Sequence, residues 1–236
     1  MTDRVPGQCK NCSNSLPAEA RFCPACGQSL RELSRPWAEV FRELLDELFD
    51  FDGRMFTSLQ CLLMRPGFLS FEYNRGRRRA YTPPLRMYLL ISVAFFFVLP
   101  SIVPEVPGQL AEHKVSVDLY SKGLFVLLPV FALMLKLFYR NVFYLSHLVF
   151  TLYLFSFMFI VFGMMMALEP FADQYLLPLI LQFVLLFWML FYFVASLRTG
   201  FGGSWPMSAI KALGLLILFV PTLATVIELA SHIGEL

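Results

Sequence analysis

Residues 142–168, VFYLSHLVFTLYLFSFMFIVFGMMMAL, run for 27 positions without an aspartate, glutamate, lysine or arginine. As a helix this stretch rises about 40 Å, more than the roughly 30 Å of hydrocarbon in a bilayer, so it reads as a membrane span. The composition agrees: 58% of the 236 residues are hydrophobic, 15% are charged and 26 are phenylalanine, whereas about a quarter of a soluble domain is charged. Four further stretches have the length and apolarity of spans, 85–103, 123–139, 175–197 and 207–229. The sequence therefore predicts an all-α polytopic membrane protein with about five transmembrane helices over 85–236. The 123–139 stretch is short and contains Lys136, whose stem can snorkel to the interface. Pro129, Pro178 and Pro221 fall inside spans, where neighbouring helices must satisfy the freed backbone groups. No internal repeat is evident, which removes the support an inverted-repeat transporter would need.

Three polar or amphipathic pieces precede residue 85. Residues 1–30 hold four of the five cysteines, as Cys9-x2-Cys12 and Cys23-x2-Cys26 separated by ten residues. Two such turns can close a thiolate tetrahedron around Zn2+ at about 2.3 Å per bond, and a closed four-sulfur site holds up a fold rather than catalysing. A structural zinc ribbon is the expectation. A redox dithiol lacks its βαβ surroundings and a haem site its following histidine. Gly27 follows the second pair, where the backbone favours a residue without Cβ, and Ser13 takes the matching place after the first. Lys10 and Arg21 offset thiolate charge, and so small a basic surface speaks against nucleic acid as a partner. No basic start, apolar run and cleavage site occur here, so the expectation is that the mature protein begins where the sequence does.

Residues 34–84 read as amphipathic and interfacial helices. Ser34 is a candidate N-cap, with Trp37, Val40, Phe41, Leu44, Leu45, Leu48 and Phe49 at helical spacing and an acidic outer face. An acidic face is repelled by an anionic membrane surface and suits a cytosolic protein partner. Met55, Phe56, Leu59, Leu62 and Leu63 continue the pattern until Pro66-Gly67 stops it. Phe68, Leu69, Phe71 and Tyr73 then lie beside Arg75, Arg77, Arg78, Arg79 and Arg86, a combination expected at the level of lipid headgroups.

The basic residues set the orientation, because positively charged short loops stay on the cytosolic side. With residues 1–84 inside, the cytosolic flanks hold Arg65, Arg75, Arg77, Arg78, Arg79, Arg86, Lys136, Arg140, Arg198 and Lys211, and the outer loops only Lys114 and Lys122. The C-terminus then lies outside, and the cysteines face the reducing compartment that a metal site requires.

The succession CKNC…FCPACGQSL, RPGFLSFEYNRGRRRAYTPPLRMYLLIS, LFYRNVFYLSHLVF and SLRTGFGGSW resembles the bacterial membrane family catalogued as domain of unknown function 3667. The resemblance covers nearly the whole chain. Its most specific parts are Arg65-Pro66-Gly67 and Gly76-Arg77-Arg78, leading through Tyr81, Pro84 and Tyr88 into the first span. It implies a multi-pass protein of the bacterial inner membrane with a zinc ribbon in front, and no activity. Members of that family often carry further histidines shortly after the one matching His147; here Tyr153 and Phe155 stand in that region, so a metal or haem role there does not carry over.

His147 is placed about 7 Å inside the third span at a rise of roughly 1.5 Å per residue. With Arg140, Lys136, Arg198 and Lys211 it makes a candidate site for an anion or lipid headgroup; the plainer account is an interhelical histidine among topogenic cations. Gln182 reads as an interhelical hydrogen bonder. His113, His147 and His232 are too scattered for a reacting constellation, and no nucleophile elbow or metalloprotease helix is present. These features favour a membrane-anchored interaction or regulatory protein, with a lipid- or solute-binding protein as the alternative.

Overall fold

The computed structural model describes residues 7–17, 20, 22–28, 53–102, 127–172 and 175–234. The acidic helix expected over 34–50, the loop with Lys114 and Lys122, and Arg21 lie outside the described residues. Helices make up the bulk, and no strand occurs among the described residues. In order they are α1 (Gly53–Met64), α2 (Phe68–Asn74), α3 (Pro84–Ile102), α4 (Leu127–Phe138), α5 (Tyr144–Ala172), α6 (Leu176–Phe201) and α7 (Trp205–Gly234).

Three of them are long and apolar enough to cross a bilayer: 29 residues from Tyr144 to Ala172, 26 from Leu176 to Phe201 and 22 from Trp205 to Val226. The expected five crossings are therefore supported at three places. The described apolar lengths of the other two, Pro84–Phe97 and Leu127–Phe138, are shorter, rising about 21 and 18 Å, less than the hydrocarbon layer requires.

α5 is the axis. His147 and every residue from Val149 to Phe157 are buried, because α3, α6 and the short helices α1 and α2 close around it. Phe159 meets Tyr88, Phe95 and Phe96 of α3, while Phe155 reaches Phe131 of α4 and Phe219 of α7. α6 and α7 instead turn large apolar side chains outward, Phe183, Phe187 and Phe191 on one, Ile210, Leu213 and Ile217 on the other. Such faces suit hydrocarbon and are untenable in water over this extent.

α1 and α2 form a tight hairpin at Arg65-Pro66-Gly67. Proline cannot continue the helix, and Gly67 supplies the left-handed conformation, φ 72°. The hairpin tip is pressed onto α6: a Cβ on Gly67 would lie 2.6 Å from the Ser196 carbonyl oxygen. Two tyrosines tie this region to the long helices. Tyr192 donates its hydroxyl to Leu62 O at 2.6 Å, one of the carbonyls that the end of α1 leaves without an intrahelical partner. Tyr153 donates to Thr82 O at 2.8 Å, and Thr82 N donates to Ser58 Oγ at 2.8 Å.

Tyr192→Phe removes the hydroxyl and leaves Leu62 O buried without that donor. The expected cost is about 1–2 kcal/mol, read as a lowered midpoint in a thermal scan of the detergent-solubilised protein; an unchanged midpoint would contradict the bond.

Candidate metal centre and the basic end of the bundle

The two cysteine turns are built alike. In the first, Ser13 N donates to Cys9 O at 2.8 Å and Cys9 N to Asn14 O at 2.8 Å; in the second, Gly27 N donates to Cys23 O at 2.7 Å and Cys23 N to Gln28 O at 2.8 Å. The residue after each pair adopts a left-handed conformation, φ 61° at Ser13 and 64° at Gly27. Ser13 thus performs the same turn as Gly27 despite its side chain. A bridge between Gln8 and Ser15 closes the first turn.

These turns bring four sulfurs together, all within 4.8 Å of one another. Cys9 Sγ lies 3.7 Å from Cys26 Sγ, and Cys12 Sγ 3.5 Å from Cys23 Sγ. A tetrahedron with zinc–sulfur bonds of about 2.3 Å has edges of roughly 3.8 Å, so the donor set fits Zn2+. A disulfide needs about 2.05 Å, and all four cysteines are free. Cys9 and Cys23 are buried, whereas Cys12 is exposed. Two of the thiols are shifted in opposite directions. Cys26 is lowered to about 6: burial opposes its thiolate, but the Gln28 backbone N–H, the Asn11 side chain and the thiols of Cys12 and Cys23 outweigh it. Cys12 is pushed up to about 12, since the Asn14 backbone N–H that favours its thiolate is overcome by desolvation and by the other three sulfurs. Cys9, Cys12, Cys23 and Cys26 are the residues that would hold the ion.

Serine in the left-handed region is strained by about 1 kcal/mol relative to glycine. Ser13→Gly is expected to raise zinc affinity several-fold in a chelator competition, and Gly27→Ala to lower it; equal affinities would contradict the backbone geometry.

The ribbon does not stand apart from the helices. Gln28 Nε2 donates to Gly76 O at 2.7 Å in a buried bond, and Arg79 Nη1 donates to Gly27 O at 2.9 Å. Lys10 lies along Gly76, so closely that a Cβ at 76 would sit 2.8 Å from Lys10 Cδ. The arginines expected at headgroup level have neighbours within the protein. Arg75 lies over Phe71 and Arg78 over Tyr73, and Arg77 pairs with the buried Glu72 at 2.8 Å. Arg86 is itself buried on α3.

Residues 52–96 match the family described as protein of unknown function (DUF3667), and residues 8–30 match a zinc-ribbon domain. Over those two stretches the chain is similar to DUF3667 proteins and to zinc ribbons. The DUF3667 match spans the α1–α2 hairpin, the arginine loop of residues 75–82 and most of α3, the part on which the ribbon docks. No curated protein and no solved structure matches the chain.

Of the five residues of the candidate anion site, Lys211 and His147 both meet Tyr139. Lys136 Nζ donates to the backbone carbonyls of Arg140 and Val142. Arg198 lies over Trp205, and Arg140 is exposed. Lys211 Nζ sits 3.9 Å from the centre of the Tyr139 ring, and His147 Nε2 is 3.2 Å from Tyr139 O. That bond requires the proton on Nε2; in the neutral ring Nδ1 is then an acceptor, buried and without a hydrogen-bond partner, as are Tyr139 OH and Ser208 Oγ. Gln182 Nε2 bridges α6 to α5 through Met165 O and Glu169, as its type led us to expect.

Sequence reasoning missed Gln28, Glu72, Tyr153 and Tyr192. A tyrosine within an apolar helix was the available signal for the last two, since a buried phenol seeks a partner for its hydroxyl; nothing local marks Gln28.

Proposed function

We propose that this chain is a multi-pass protein of the bacterial inner membrane, crossing it five times with residues 1–84 in the cytosol and the C-terminus outside. Its zinc ribbon acts as an interaction or regulatory module for a cytosolic protein. The observation that carries this reading is the docking of Gln28 and Arg79 between ribbon and arginine loop. A partner that grips the ribbon is thereby linked to the segment entering α3. Phe22, more than half exposed on the ribbon, is a ready anchor for such a partner. Deleting residues 1–50, or replacing Phe22 by serine, should remove a specific co-purifying protein while the helices still insert. Unchanged partners would refute the reading.

Thr82, two residues before α3, bonds to Tyr153, the tenth residue of α5. α3 therefore enters about 14 Å along α5. In this reading the first turns of α5 project below the hydrocarbon, which moves His147 from the depth expected of it to the cytosolic margin. The surplus length of α5, about 43 Å against roughly 30 Å of hydrocarbon, supports that offset.

The buried Nδ1 of His147, with Lys211 over the ring of the same Tyr139 whose carbonyl His147 meets, favours a second reading, a lipid- or small-solute-binding protein with a polar site near the cytosolic ends of the helices. Native mass spectrometry would then detect a ligand lost on His147→Ala or on the exposed Arg140→Ala. No retained ligand returns His147 to a packing role.

A further inference from the structure

We propose that the zinc ribbon is a metal-dependent latch on the arginine loop, residues 75–82, so that metal loading of the ribbon governs the segment through which the chain enters the membrane. The inference rests on the ribbon holding a metal and is independent of any cytosolic partner. Both cysteine turns contribute to the contact. Lys10, inside the first pair, lies against Gly76, and Gly27 and Gln28, after the second pair, bond Arg79 and Gly76. Gln28 is positioned by its turn, because its own carbonyl accepts the Cys23 N–H at 2.8 Å. The docking face is complete only while the two turns are held together. That is what one ion shared by four thiolates does, and what its removal from so small a domain undoes.

The far side of the loop is fixed to the helices. Arg54 of α1 donates to Arg79 O at 3.4 Å, and Thr82 is held by Ser58 and Tyr153, the latter within α5. The path from the cysteines through Gln28 and Arg79 to Thr82 and α5 is a continuous series of bonded neighbours. Gly76 allows the close approach: at φ 93°, with Lys10 against it, no other residue fits without strain. Loss of the ion frees the Gly76 carbonyl and the Arg79 side chain from the ribbon, and Arg75, Arg77 and Arg79 are already on the surface.

Limited trypsin digestion of the full-length protein in detergent tests this, because the loop holds its own cleavage sites at Arg75, Arg77, Arg78 and Arg79. Zinc content is measured in parallel. Chelation should speed cleavage in the loop roughly tenfold or more, the order expected from losing two hydrogen bonds. Added zinc should restore protection, and cleavage at the exposed Arg140 should not change. Gln28→Ala should speed loop cleavage several-fold with one zinc still bound, which separates the latch from unfolding of the ribbon. Loop cleavage indifferent to chelation, or raised by chelation but not by Gln28→Ala, overturns the latch. Absence of zinc from the purified protein overturns the metal reading itself, whatever becomes of the partner experiment.

Discussion

Cys23→Ser is expected to empty the ribbon of metal, taking bound zinc from one per chain to near zero in the purified protein. Cys23 is almost fully buried, and its Sγ lies 3.5 Å from Cys12 Sγ, so a serine oxygen can neither supply a soft thiolate nor be relieved by solvent. Structural zinc contributes on the order of 10–16 kcal/mol to small ribbon-like peptides, far more than the packing of about twenty residues supplies. Residues 8–28 should therefore lose their amide protection altogether, and the bonds from Gln28 to Gly76 and from Arg79 to Gly27 should go with them. Cys61→Ser is the control. Cys61 is a half-buried residue of α1 outside the cluster, and its replacement should leave zinc at one per chain. Equal zinc in both variants would contradict the four-cysteine centre.

Gly67→Ala is expected to be the most damaging single substitution in the helical part. Two penalties add. The φ of 72° carries a left-handed strain of about 1 kcal/mol for alanine. The new Cβ would also lie 2.6 Å from the carbonyl oxygen and 2.9 Å from the Cα of Ser196. Those are backbone atoms of a long helix that cannot swing aside, which adds about 1–3 kcal/mol of overpacking. Together they should lower the thermal midpoint in detergent by roughly 5–15 °C. Gly53→Ala, where a Cβ meets nothing within 4 Å, should leave the midpoint in place. If both variants behaved like the parent, the hairpin would not sit on α6.

The metal centre was legible because ligand chemistry is local. Two thiolate pairs at this spacing point to a metal site, and the glycine after the second pair marks its left-handed turn, which Ser13 repeats after the first. Pro66-Gly67 and the long apolar runs were legible for similar reasons, since ring geometry and composition act without distant partners. The docking of the ribbon was not. It depends on the main-chain oxygens of Gly27 and Gly76, which every residue possesses and no sequence pattern marks. The arginine cluster shows a different limit. A guanidinium beside aromatics suits a headgroup region or the face of a ring equally well, and three-dimensional placement puts Arg75 on Phe71 and Arg78 on Tyr73. His147 was found as a polar residue in an apolar stretch. Its surroundings, with Lys136 bonded to backbone carbonyls and Arg198 turned to Trp205, follow from helix packing that spacing alone does not fix.

Labelling of the ribbon cysteines with a membrane-impermeant maleimide, in a Cys61→Ser background, tests most directly whether a metal-bound ribbon sits at the cytosolic face of a membrane-spanning bundle. Inverted vesicles should label only after chelation, right-side-out vesicles should not label under either condition, and the protein should leave the membrane only with detergent. Labelling of right-side-out vesicles, labelling without chelation, or release by salt alone would contradict the account.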